Sequence, residues 1–158
     1  MDECLFTLRL EIRCHAIFYL DLAIGEGSYY LEDSNPDPDP YIDTLNSELS
    51  SFEEMVSNTL PLRTQRFIFD GLAQLMGYVI FTNMTRIRRI NSNGVLRLVR
   101  NVQSLQQNLT NLVSIQENSL NRVKTYTELA ALTGPVILMS LNLGAAGVCS
   151  KGKRKILI

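Results

Sequence analysis

Leu98, Val102, Leu105, Leu109 and Leu112 step by four, three, four and three residues. No other feature constrains the chain as strongly, because side chains so spaced return to one side of an α-helix and form a seam for another helix. Within the same stretch, RNVQSLQQNLTNL (Arg100–Leu112), the amides Gln103, Gln106, Gln107, Asn108 and Asn111 fall off that seam. The spacing therefore argues for a packed helix rather than a polar linker or a glycosylated loop. It also makes the Asn108-Leu109-Thr110 sequon incidental, and Asn83-Met84-Thr85 is read in the same way.

Helical spacing recurs on both sides of this seam. Ile42, Leu45, Leu49, Phe52 and Val56 form an apolar face, with Glu48, Glu53 and Glu54 making the outer side acidic. Asp39 followed by Pro40 supplies a capping carboxylate and a proline at the first helical position. Phe67, Ile68, Leu72, Leu75, Met76, Val79 and Ile80 predict one wide-faced helix, capped at Asn58 or Thr59 with Pro61 in its first turn. Gly71 and Gly77 within it are expected to admit a close neighbour. A break is expected near Asn91-Ser92-Asn93-Gly94, and a further helix at about residues 117–132.

Residues 3–24 are ambiguous by period. Phe6, Leu8, Leu10, Ile12 and Cys14 alternate with polar residues as in a half-buried strand, yet Leu5, Leu8, Ile12 and Tyr19 share one helical face. More than twenty residues pass without Gly or Pro, which favours a helix. The following GEGSYYLEDSNPDPDP, Gly25–Pro40, reads as an acidic connector.

Charge divides the chain. Residues 1–54 carry a balance of −11 and residues 55–158 one of +10, for a net −1. The favoured reading is two halves that pack and neutralise each other. The sharper one is a basic interaction face of Arg86, Arg88, Arg89, Arg97 and Arg100, meeting an acidic protein or an anionic membrane surface.

Candidate chemical motifs fail on their own terms. Asp33, Asn35, Asp37 and Asp39 alternate like calcium ligands, but Pro38 stands where the loop needs glycine and Thr44 where it needs a bidentate glutamate. GVCSKGKR, 147–154, approaches a phosphate loop but has Arg154 at the magnesium-binding hydroxyl position and only four residues after it. His15 is the sole histidine, which excludes a two-histidine metal or catalytic pair. Cys4, Cys14 and Cys149 are odd in number without CxxC spacing, which fits a reducing compartment. No basic, apolar leader of the secretory type opens the sequence. The expectation is a chain without catalytic residues, metal or cofactor, and with neither nucleic acid nor a small-molecule substrate as partner.

The character changes after Leu132. Residues 129–150 are uncharged and KGKRK follows, so residues 1–132 are expected to form the bundle and 133–158 a divergent apolar tail with a basic end. The alternative is a small membrane-anchored helical protein using 129–150, although Pro135, Asn142 and three glycines interrupt that run. Ile156-Leu157-Ile158 also has the form of a terminus that a PDZ groove takes as an added strand.

LRLEIRCHAIFYL, RFIFDGLAQLMGYVI and RRINSNGVLRLVRNVQSLQQNLTNL, in this order, resemble the C-terminal region of the exocyst component four family of vesicle-tethering subunits, over about residues 5–132. The most specific element is Arg-Asn-x-x-x-Leu-Gln-Gln-Asn-Leu-Thr-Asn at Arg100–Asn111, supported by Arg88–Gly94 and Phe69–Leu72. The resemblance implies an all-α fold, an antiparallel helical bundle from the C-terminal part of a rod-like subunit. It also implies that residues 3–24 are helical and that other exocyst subunits are the partners. A cytoplasmic, non-enzymatic protein peripheral at the plasma membrane is implied as well. The tail from Thr133 departs from the family pattern, as a truncated isoform would.

Overall fold

The computed structural model describes residues 2–33, 37–113 and 120–133. The protein is an all-α bundle of six helices among these residues: α1 Asp2–Leu20, α2 Pro40–Thr59, α3 Leu62–Phe69, α4 Leu72–Met84, α5 Ser92–Val113 and α6 Asn121–Thr133. A π-helical turn, Asp21–Gly25, prolongs α1, and an isolated parallel bridge joins Tyr29 to Ile90.

α1 is a helix despite its strand-like alternation, and the structure shows why both patterns coexist. Ile12, Ala16 and Leu20 are buried, with Leu5, Leu8 and Tyr19 packed beside them. Phe6, Leu10, Ile17 and Phe18 occupy the other side of the same helix and are exposed. Apolar residues on both faces generate a period of two that no strand uses.

The single helix expected from Pro61 onward is two. Thr59 ends α2 rather than starting α3, and Pro61 holds the extended position before α3. Gly71 adopts φ 75° and interrupts the helix, a left-handed geometry that costs any side chain with a Cβ. The last carbonyls of α3, orphaned by the break, are satisfied from α1. Arg9 donates to Phe67 O at 2.8 Å and Asp70 O at 3.1 Å, and Arg13 donates to Ile68 O at 3.1 Å and also to Asp70 O. Two cations thus sit where the α3 dipole is negative.

The chain break also falls earlier than expected. Ser92, Asn93 and Gly94 form the first turn of α5, and the connection is residues 85–91. Asn91 caps the helix by accepting from Gly94 N at 2.9 Å, and holds the incoming acidic connector through Leu31 N at 3.2 Å and Leu31 O at 2.6 Å. Gly94 is required here, since an added Cβ would stand 1.8 Å from Tyr29 O. α6 begins at Asn121, later than the expected 117, and residues 114–119 lie outside the described residues.

Cross-links give the helix directions. Asp39, Asn46 and Ser50 meet Asn101, Ser104 and Asn108 in ascending order, so α2 and α5 run parallel. Arg13 lies beside Gly71 and Asn83 donates to Leu20 O, so α1 and α4 are parallel as well. Leu20, Ile24, Ile42, Leu45, Ile68, Met76, Ile80, Leu98 and Leu105 fill the centre without solvent exposure. Each such side chain contributes about 1.5–3 kcal/mol by leaving water.

Candidate interaction surfaces

α5 presents two kinds of residue to the bundle. Leu98, Val102, Leu105 and Leu109 are buried, and Leu112 is half-buried against the core. Beside them runs a polar line toward α2. Asn101 is fully buried; its Oδ1 accepts from Asp39 N at 2.8 Å and its Nδ2 donates to Tyr29 Oη at 3.3 Å. Asn46 donates to Ser104 Oγ at 2.9 Å, and Asn108 donates to Asn46 O at 3.2 Å and Ser50 Oγ at 3.1 Å. Gln106 instead reaches Asn121 on α6 at 2.7 Å. Several amides of RNVQSLQQNLTNL are therefore spent inside the bundle, where each bond needs one register of α5 against α2.

Tyr29 ties the acidic connector into this network. Its hydroxyl donates to Ala23 O at 3.0 Å, and burial first, then the charge of Asp39, pushes its phenol well above the ordinary tyrosine range. Asp39 itself caps α2 by accepting from Tyr41 N at 3.0 Å. Among the described residues no group of three His, Cys, Asp or Glu side chains is placed to hold a metal ion. Asn35, one of the alternating acidic-loop positions, lies outside them.

The five arginines of the basic stretch are divided between two places. Arg86, Arg88 and Arg89 line one open groove of about 1010 Å³, together with Ser28 and Tyr30. Arg86 pairs with Asp21 at 2.6 Å and donates to Asn83 Oδ1 at 3.1 Å, an ion pair that joins the acidic and basic halves. Arg97 and Arg100 are half-buried on α5 and do not line the groove; Arg97 Nε is buried without a hydrogen-bond partner among the described residues.

A second surface was not foreseen. Phe6, Leu10, Ile17 and Phe18 are 54%, 61%, 43% and 58% exposed, and Cys14 lies exposed among them. Positions 6, 10, 14 and 17 recur at four, four and three, so they form one stripe on the outside of α1. Phe67 on α3 continues it through an edge-on contact with Phe6 at 5.6 Å. Scattered apolar residues are normal on a surface, whereas a stripe of this kind is a candidate interaction surface. The signal was present in the sequence, since α1 carries apolar residues on both sides.

On the flank of α1 toward α2, Glu48 accepts from Tyr19 Oη at 2.6 Å and meets His15 Nδ1 at 2.7 Å. The tyrosine hydrogen bond, aided by His15, holds the Glu48 carboxyl below the usual glutamate range.

Among the described residues no helix is long and apolar enough to cross a membrane. Most of the 129–150 run and the whole Ile156–Ile158 terminus lie outside the described residues.

No family model matches the chain. Individual proteins do. Exocyst complex component 4 of Dictyostelium discoideum is 37% identical over 124 residues, 78% of this chain and 10% of that protein. The protein of the same name from Homo sapiens is 34% identical over 139 residues, 87% of this chain and 14% of the relative. The one from Drosophila melanogaster is 32% identical over 143 residues, 89% of the chain and 14% of the relative. The chain thus spans only 10–14% of the length of these relatives.

Proposed function

This chain resembles exocyst complex component 4 over most of its length, and from that resemblance we propose that it is a non-enzymatic helical scaffold in vesicle tethering before fusion at the plasma membrane. The observation that carries the reading, beside the resemblance, is the uncovered apolar stripe of α1. The core of the described residues is filled without Phe6, Leu10 and Ile17, so their stripe supports a further layer of helices against α1. In a rod built from stacked bundles, that layer is supplied by other subunits of the complex.

In this reading residues 1–132 act as the bundle and 133–158 as an appended tail. The buried seam Leu98, Val102, Leu105, Leu109 and Leu112 holds α5 in place, and the assembly is cytoplasmic and peripheral to the membrane. No step of chemistry is required of any residue; the work done is packing and positioning.

The experiment is replacement. The matching segment of the human relative is exchanged for residues 1–132 of this chain, and secretion of a reporter cargo is followed in cells depleted of the endogenous subunit. Restored secretion supports the reading. A chimera that is expressed and folded yet leaves secretion at the depleted level would count against it.

A further inference from the structure

We propose that the groove between residues 25–30 and 85–89 binds an extended acidic peptide segment of a partner protein. Three arginines converge there, but they are not equivalent. Arg86 is already neutralised by Asp21 at 2.6 Å, which shows that this wall accommodates a carboxylate. Arg88 and Arg89 are exposed and make no hydrogen bond or ion pair among the described residues, so two positive charges remain unanswered. A guanidinium pairs with a carboxylate through two parallel hydrogen bonds, which makes free arginines at a cleft a recognition element rather than only a solvating one.

The rest of the lining fits the same occupant. Tyr30 is 64% exposed and Ser28 is exposed beside it, so an aromatic face and a hydroxyl stand next to the guanidiniums. Tyrosine and arginine together are the residues most enriched at protein-binding hot spots. The volume of about 1010 Å³ is at the top of the range for small-ligand sites, roughly 300–1,000 Å³, and is far more than a single phosphate needs. Shape favours a peptide over a bilayer. The arginines line a recess between two chain connections, whereas a flat anionic membrane is met best by charges on a protruding surface. The groove has the charge and the volume for a strand-like peptide carrying two or more carboxylates.

The groove lies beyond the tethering reading and stands or falls separately from it. The test uses the whole chain and a fluorescent peptide of about eight residues alternating Glu and Ser, followed by anisotropy, with the Gln-for-Glu peptide and phosphatidylserine vesicles as parallel arms. The double variant Arg88→Glu/Arg89→Glu is compared with Arg63→Glu/Arg66→Glu, an equal charge change at exposed residues on α3. The expected result is binding of the Glu peptide that weakens about tenfold or more in the first variant and less than about twofold in the second. Equal weakening in both variants, absence of peptide binding by the wild type, or binding of vesicles but not of the peptide would each overturn the proposal. Circular dichroism of both variants reads folding, and neither replaces a buried side chain.

Discussion

Replacing Leu105 by alanine tests the packing of the bundle at its centre. Leu105 is fully buried, on the α5 stripe that faces the interior. Truncation removes three carbons from a site that cannot collapse freely, because α2 and α6 hold α5 on two sides by hydrogen bonds. Leu→Ala substitutions of this kind cost about 3–5 kcal/mol. Against a total stability of about 5–15 kcal/mol, a loss of about 3 kcal/mol lowers the folded-to-unfolded ratio more than a hundredfold. Leu96, two and a half turns earlier on the opposite face and 41% exposed, is the internal control. Its truncation should change stability by less than about 0.5 kcal/mol. Urea unfolding followed by circular dichroism at the helix band reads both. The midpoint of Leu105→Ala should fall while the slope is preserved, and Leu105→Asp should be worse, since it adds an unpaired buried charge. If Leu105→Ala and Leu96→Ala shifted the midpoint equally, the assignment of inner and outer faces on α5 would be wrong.

Three further outcomes follow from other parts of the fold. Gly94→Ala places a Cβ 1.8 Å from Tyr29 O, a backbone clash that should cost about 1–3 kcal/mol or more and lower the melting temperature clearly. Tyr29→Phe removes the bonds to Ala23 O and from Asn101 Nδ2, at a cost of about 1–2 kcal/mol near neutral pH. Because the folded phenol titrates above its unfolded value, wild-type stability is full below that value, near pH 10, and declines as pH rises; melts taken across the alkaline range should show that decline and its loss in Tyr29→Phe. Glu48 has the opposite sign. Its carboxyl is held below the ordinary value, so its contribution is present above that value and disappears as pH falls through the lower, folded one. Thermal melts of wild type and Glu48→Gln should therefore converge on acidification, and a constant gap would show that the Tyr19 and His15 contacts do not favour the ionised form.

What was legible in the sequence was local. Asp39-Pro40 announced the start of α2 because cap and first-turn chemistry act within three residues. The helical class followed from apolar spacing, which depends only on side-chain direction. The split of α3 from α4 was not legible in the same way. Gly71 sits inside a strong apolar period, and its left-handed turn is supported by Arg9 and Arg13 from about sixty residues away, a distance that no window along the chain covers. The Asn91 cap was hidden for a similar reason, as its partner Leu31 belongs to the acidic connector. Arg86, Arg88 and Arg89 were close in sequence to Arg97 and Arg100, but the turn from the 85–91 connection into α5 carries the two sets apart. The outer stripe of α1 was written in its double-faced composition, yet period-two alternation obscured it until the helix was in place.

Co-purification of the tagged chain with exocyst subunits from cells, with the α1 stripe intact and disrupted, tests the central claim most directly. Leu10→Glu/Ile17→Glu alters only exposed side chains of the stripe, so the variant should melt as the wild type does. The account predicts that the wild-type chain enriches the other subunits and that this variant, at equal expression and equal melting temperature, does not. Retention of the subunits by the folded variant, or their absence from the wild-type sample, would contradict it.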